Sequence, residues 1–140
     1  MSRACAWFVH GAALAVGITG LVYGWMRYLL EPVDEYALVN HPAEPLWKDL
    51  HVLGAPLLLF ACALIWRAHV WARIRSGYPS RRPTGILLAA LLLPMVASGY
   101  LLQTRFGEPF RTGWIWIHAV TSTVWIVTYL VHQLSRKSDR

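Results

Sequence analysis

Six histidines mark a chain of 140 residues: His10, His41, His51, His69, His118 and His132. Two of them lie near the ends of the stretch IHAVTSTVWIVTYLVHQL, residues 117–134, fourteen positions apart. That stretch is apolar enough for lipid, where an ionisable side chain is expensive and usually functional. Fourteen residues at about 100° each fall within roughly 40° of whole turns, so both imidazoles face one way on a helix, about 21 Å apart along its axis. One metal ion cannot use both. Two centres stacked at different depths can, and so can a proton relay.

Such residues need elements that hold them at depth. The composition is 56% hydrophobic with only 14% charged residues and eight Trp, too little charge for the surface of a soluble domain of this size. Apolar blocks predict helices over about 4–30, 46–75, 84–103 and 113–135. Each reaches the ~20 residues that cross a bilayer, and backbone groups in lipid must be satisfied internally, which selects helices over open strands. Short connections force antiparallel neighbours. The expected fold is therefore all-α, an integral membrane antiparallel four-helix bundle forming one domain over 1–140. The first block reads as a span and not as a cleaved leader. It runs into Tyr23, Trp25 and Tyr28, which look like interfacial anchors, and it has no Ala-x-Ala site near its end. Pro56 and Pro94 fall inside the second and third helices, where each is expected to kink its helix. The second helix is expected to run on past Arg67 and break at Ser76-Gly77-Tyr78-Pro79.

Charge gives an orientation. Arg3, Arg67, Arg73, Arg75, Arg81, Arg82, Arg136, Lys137 and Arg140 fall on one side. Arg27, Lys48, Arg105 and Arg111 fall on the other, with Glu31, Asp34, Glu35, Glu44, Asp49 and Glu108. The positive-inside rule then puts both termini in the cytoplasm. The net charge of +6 is a topology signal and implies no nucleic-acid partner. Cys5 and Cys62 form neither Cys-x-x-Cys nor Cys-x-x-Cys-His, so they read as small apolar side chains and covalent c-type haem is excluded.

At ~1.5 Å per residue from the outer end of each helix, His51 lies about 6 Å deep and His118 about 7 Å. His132, His10 and His69 lie about 28, 30 and 33 Å deep. His51 thus pairs with His118 near the outer face, and His132 with His10 near the inner face, with His69 as competitor. His41 sits in the acidic loop EPVDEYALVNHPAEP, where solvation accounts for it. Two imidazoles per level, with no thiolate or carboxylate beside them, suit the axial positions of a low-spin b-type haem better than zinc or copper. Gly17 and Gly24, at seven-residue steps from His10, would let a flat ring approach, or would serve ordinary helix packing. Thr121, Trp125 and Tyr129 share the histidine face of the fourth helix as a core stripe or as packing between haems. Arg27, Lys48, Arg105 and Arg111 near the outer face, and Arg67 and Arg73 near the inner, suit either haem propionates or lipid headgroups.

One His on helix one (FVHGAALAVGITG), one on helix two (LWKDLHVLGAP), none on helix three (PMVASGYLL) and two on helix four (WIHAVTSTVWIVTYLVH) resemble the membrane cytochrome b subunits of formate dehydrogenases and nickel–iron hydrogenases. Small bacterial four-helix cytochrome b proteins share the layout. The chain is shorter than the hydrogenase-type subunits and has no fifth helix. The resemblance implies two haem b groups, ligated by His51 with His118 and by His10 with His132. It implies electron transfer between the quinone pool and a redox partner subunit, such as a periplasmic cytochrome or an iron–sulfur protein, in a bacterial cytoplasmic membrane. It would place quinone beside the inner haem, with His69 and Arg67 as contacts. No flavin, nucleotide or iron–sulfur motif is present, so the chain reads as an electron-transfer subunit whose own chemistry is at most quinone oxidoreduction. The rival readings are a haem-free membrane scaffold and a His-relay proton or ion channel.

Overall fold

The computed structural model describes residues 2–32, 34, 36–77, 81–104 and 107–135. Glu35, Tyr78, Pro79, Arg105, Arg136, Lys137 and Arg140, which enter the charge asymmetry or the expected chain break, lie outside the described residues. Among the described residues all regular structure is helical: α1 (Arg3–Tyr28), α2 (Glu44–Ile65), a π-helical turn (Trp66–Trp71), α3 (Ala72–Arg75), α4 (Arg82–Leu101) and α5 (Phe110–Leu134). α2, the π turn and α3 run on as one helix, Glu44–Arg75, so four helices are long and apolar enough to cross a membrane. Their large apolar side chains stay outside the packing. Leu53 is 73% exposed, Leu93 76% and Trp116 66%. Water penalises such surface by about 25 cal/mol per Å2 and hydrocarbon does not, so the chain is an all-α multi-pass membrane protein. Pro56 and Pro94 lie inside α2 and α4 without ending either helix.

The helix ends follow from local chemistry. Ser2 caps α1, its hydroxyl accepting from Cys5 N at 3.2 Å. Asn40 closes the other end of α1, its amide donating to Arg27 O at 3.0 Å and Leu30 O at 2.8 Å. α2 opens on Glu44-Pro45, with proline in the first turn where its missing N–H is harmless. Glu108 opens α5 by accepting from the Thr112 hydroxyl at 2.6 Å and from its N–H at 3.3 Å. α3 stops at Ser76 and Gly77, whose φ of 66° is left-handed.

The chain forms two compact units, Met1–His69 and Val70–Arg140. In the first, α1 and α2 pack antiparallel. Val16 meets Gly54, Phe8 meets Phe60 edge-on at 6.2 Å, and Arg27 pairs with Glu44 at 3.3 Å. Val9, Ala12, Ala13, Val16, Leu58 and Ala61 are buried there, and the small alanines let the helices approach closely. Glu44 is also buried, at 5% exposure, and accepts from Asn40 N at 3.1 Å as well as from Arg27. It ties both ends of the connecting loop, and its charge suits a helix N-terminus. Glu44→Gln weakens both charge-assisted bonds, so the mutant should unfold with a lower thermal midpoint in detergent, by the equivalent of about 2 kcal/mol. An unchanged midpoint would show that the loop is held elsewhere.

In the second unit α4 and α5 pack antiparallel along a seam of seven-residue steps. Positions 118, 125 and 132 of α5 meet positions 95, 88 and 84 of α4. A seven-residue step nearly closes two helical turns, so a seam with this repeat stays in register between two helices. Its middle rung is Trp125, whose Nε1 donates to Leu88 O at 3.2 Å. Trp125 stacks on Tyr129 with centroids 5.5 Å apart and planes 6° apart, and both rings are buried. Thr121 is half-buried and donates to Ile117 O at 2.6 Å within its own helix.

Candidate functional site: imidazoles seated on a neighbouring helix

Three of the histidines set Nδ1 against a polar atom of the helix packed beside them. His51 Nδ1 lies 3.0 Å from Val16 O on α1. His118 Nδ1 lies 3.0 Å from Met95 O on α4, with Ser98 Oγ at 3.3 Å. His132 Nδ1 lies 2.8 Å from Thr84 Oγ1, also on α4. All three rings are half-buried.

Behind each ring stands the same frame on the facing helix. A residue i offers its carbonyl, residue i+3 carries a hydroxyl, and residue i+4 is glycine: Val16-Thr19-Gly20, Met95-Ser98-Gly99 and Arg81-Thr84-Gly85. Thr19 Oγ1, Ser98 Oγ and Thr84 Oγ1 turn back to the carbonyl three residues earlier, at 3.1, 3.1 and 2.9 Å. Apolar helices keep such hydroxyls by bonding them to their own backbone in this way. The glycine supplies room. A Cβ on Gly20 would stand 2.7 Å from His51 Cε1, and one on Gly99 2.9 Å from His118 Cε1. On Gly85 it would stand 3.5 Å from His132 Cε1, an ordinary contact.

This seat fixes the tautomer where the partner is a carbonyl. A carbonyl oxygen only accepts, so Nδ1 of His51 and of His118 carries the proton. The lone pair of the neutral ring then belongs to Nε2, the arrangement of a histidine that ligates a metal with its other nitrogen anchored to backbone. His41 has the opposite arrangement. Its Nδ1 accepts from Ala43 N at 3.1 Å, so it braces the turn before α2 and its proton sits on Nε2.

The remaining expected residues are placed as follows. His10 is half-buried on α1, with Trp7 edge-on to its ring at 6.2 Å. His69 is half-buried and Arg67 exposed, and both stand in the π-helical turn, a distortion frequent at functional sites. Arg73 and Arg111 are exposed. Arg27 has a carboxylate partner in Glu44, and Lys48 lies 3.7 Å from Asp49. Each expected histidine pair draws one ring from each compact unit: His51 and His10, or His69, from the first, and His118 and His132 from the second.

Gly17 and Gly24 are expected to admit a flat ring or to serve helix packing, and a Cβ added to Gly24 would meet nothing within 4 Å, which leaves open space there. The glycines behind the seated rings are Gly20, Gly85 and Gly99, each preceded by Thr or Ser. That dipeptide was a readable signal: Thr84-Gly85 and Ser98-Gly99 are fourteen residues apart, the spacing of His118 and His132. No protein-family model, curated protein or solved structure matches the chain.

Proposed function

We propose that the chain is a membrane electron-transfer protein that holds two b-type haems and exchanges electrons between a redox partner and the quinone pool. Bound haem supplies reversible one-electron chemistry at iron. His51 and His118 would hold the outer group, and His10 and His132 the inner one. The observation that carries this reading is the tied Nδ1 of His51 and His118, which leaves the lone pair of each neutral ring on Nε2. The donor set fits the group, since an axial pair needs two neutral imidazoles and no further protein ligand.

The same bond argues against a proton relay. A relay needs each ring to pass a proton through both nitrogens, and a backbone carbonyl accepts a hydrogen bond without handing a proton on. In this reading the Arg- and Lys-rich side is cytoplasmic, as in a bacterial inner membrane, and His69 with Arg67 contacts quinone.

An optical spectrum of the purified protein is the first test. Reduced haem-b bands with two haems per chain are expected, whereas a colourless protein in haem-replete cells would return the chain to a scaffold or channel. His10 and His69 are then separated by substitution. His10→Ala is expected to leave one haem per chain and His69→Ala two. The reverse result would move the inner ligand to the π-helical turn.

A further inference from the structure

The near partner of Nδ1 is a hydroxyl at His132, Thr84 Oγ1 at 2.8 Å, whereas at His51 and His118 a backbone carbonyl at 3.0 Å is nearest. Thr84 Oγ1 lies between His132 Nδ1, at 2.8 Å, and Arg81 O, at 2.9 Å. The hydroxyl has one proton, and Arg81 O can only accept it. The oxygen therefore accepts the Nδ1 proton of His132, and the three groups form a directed chain from ring to hydroxyl to carbonyl. At His118 the hydroxyl is secondary. Ser98 Oγ lies 2.6 Å from Pro94 O and 3.3 Å from the ring, while Met95 O is nearer the ring at 3.0 Å. Thr19 Oγ1 lies nearer Ala15 O, at 2.8 Å, than Val16 O, at 3.1 Å, and Val16 O stands 3.0 Å from His51 Nδ1.

The partner of Nδ1–H governs how strongly Nε2 donates, because an acceptor that draws on the proton makes the ring more basic. A more basic axial ligand favours the oxidised metal. A hydroxyl already polarised by Arg81 O can be deleted by changing one side chain, whereas the carbonyls behind His51 and His118 cannot.

We propose that Thr84 is a positioning residue that sets the reduction potential of the centre ligated by His132. This rests on the haem reading and adds to it the residue that tunes one centre independently of the other. Thr84→Val keeps the shape of the seat, puts a methyl group in place of Oγ1 and screens the ring from Arg81 O. Thr84→Ser keeps the oxygen.

The test is an optical redox titration of the full-length protein in detergent, with the two centres assigned from variants lacking His118 or His132. At a fixed solution potential, Thr84→Val should raise the reduced-to-oxidised ratio of the His132 centre about tenfold, equivalent to about 59 mV for one electron. The His118 centre should not move, and Thr84→Ser should match wild type. Ser98→Ala should leave both centres unmoved, since Met95 O still takes the His118 proton. Thr84→Val with full haem content and an unmoved His132 centre overturns the proposal, as does an equal shift in both centres. If Thr84→Val fails to load haem, Thr84→Cys replaces it. Its weaker sulfur acceptor should raise the same ratio by a smaller factor, and no change overturns the proposal. A wild-type protein without haem would instead remove the reading on which the inference rests.

Discussion

His118→Ala and His132→Ala are each expected to leave one haem per chain, and a different one in each case. The two rings share a helix face about 21 Å apart along the axis, which is too far for one metal and ample for two. Loss of an axial imidazole removes a ligand outright. It should therefore exceed the 10–100-fold weakening typical when only the group behind a ligand is lost. Haem content by alkaline pyridine spectrum and the surviving midpoint potential distinguish the variants. His51→Ala should lose the same centre as His118→Ala, which is the direct check that these two histidines serve one haem. His41→Ala should keep both haems, since its Nδ1 accepts from Ala43 N and its role is to hold a turn. If His118→Ala and His132→Ala lost the same haem, the two-level arrangement would be gone and a single centre would have to be sought.

Much of the fold was legible in the sequence because the bilayer imposes a crude rule. Spans of about 20 apolar residues are hard to disguise, and the four expected helices begin and end within a few residues of those observed. Helical rise yields expected levels for the histidines but not their seats, because a threonine or serine in an apolar helix is unremarkable by composition. Its partner, three residues back in its own helix, appears only when the backbone is built. The π-helical turn at WRAHVW was likewise hidden, since its residues suit an ordinary α-helix. Arg27 shows a third kind of miss. Read alone it is a basic residue near the outer face, free for a propionate or a headgroup. The loop from Leu29 to Ala43 folds back and brings Glu44 to it, a contact set by a path of prolines and turns that residue spacing does not encode.

The glycines behind the rings give a prediction whose sign differs between sites that look alike in sequence. Glycine inside a helix is worse than alanine by up to about 1 kcal/mol, so Gly→Ala stabilises where the methyl group fits. At Gly85 it fits, 3.5 Å from His132 Cε1, and Gly85→Ala should leave both haems bound and hold or raise the melting temperature. At Gly99 and Gly20 the methyl carbon would stand 2.9 and 2.7 Å from Cε1 of His118 and His51. Those rings cannot simply retreat, because Nδ1 is tied at 3.0 Å to a carbonyl of the same helix that carries the glycine. Relief requires breaking that bond or spreading the helices, an overpacking cost of about 1–3 kcal/mol that outweighs the propensity gain. A ligand tolerates a displacement of about 0.5 Å before its geometry fails. Gly20→Ala and Gly99→Ala should therefore both lower the melting temperature and deplete the same outer haem, with the His132 centre intact. The comparison separates seating from general helix packing. If all three substitutions behaved alike, the glycines would be serving only close helix approach, and the hydroxyl–glycine frame would have no specific hold on the imidazoles.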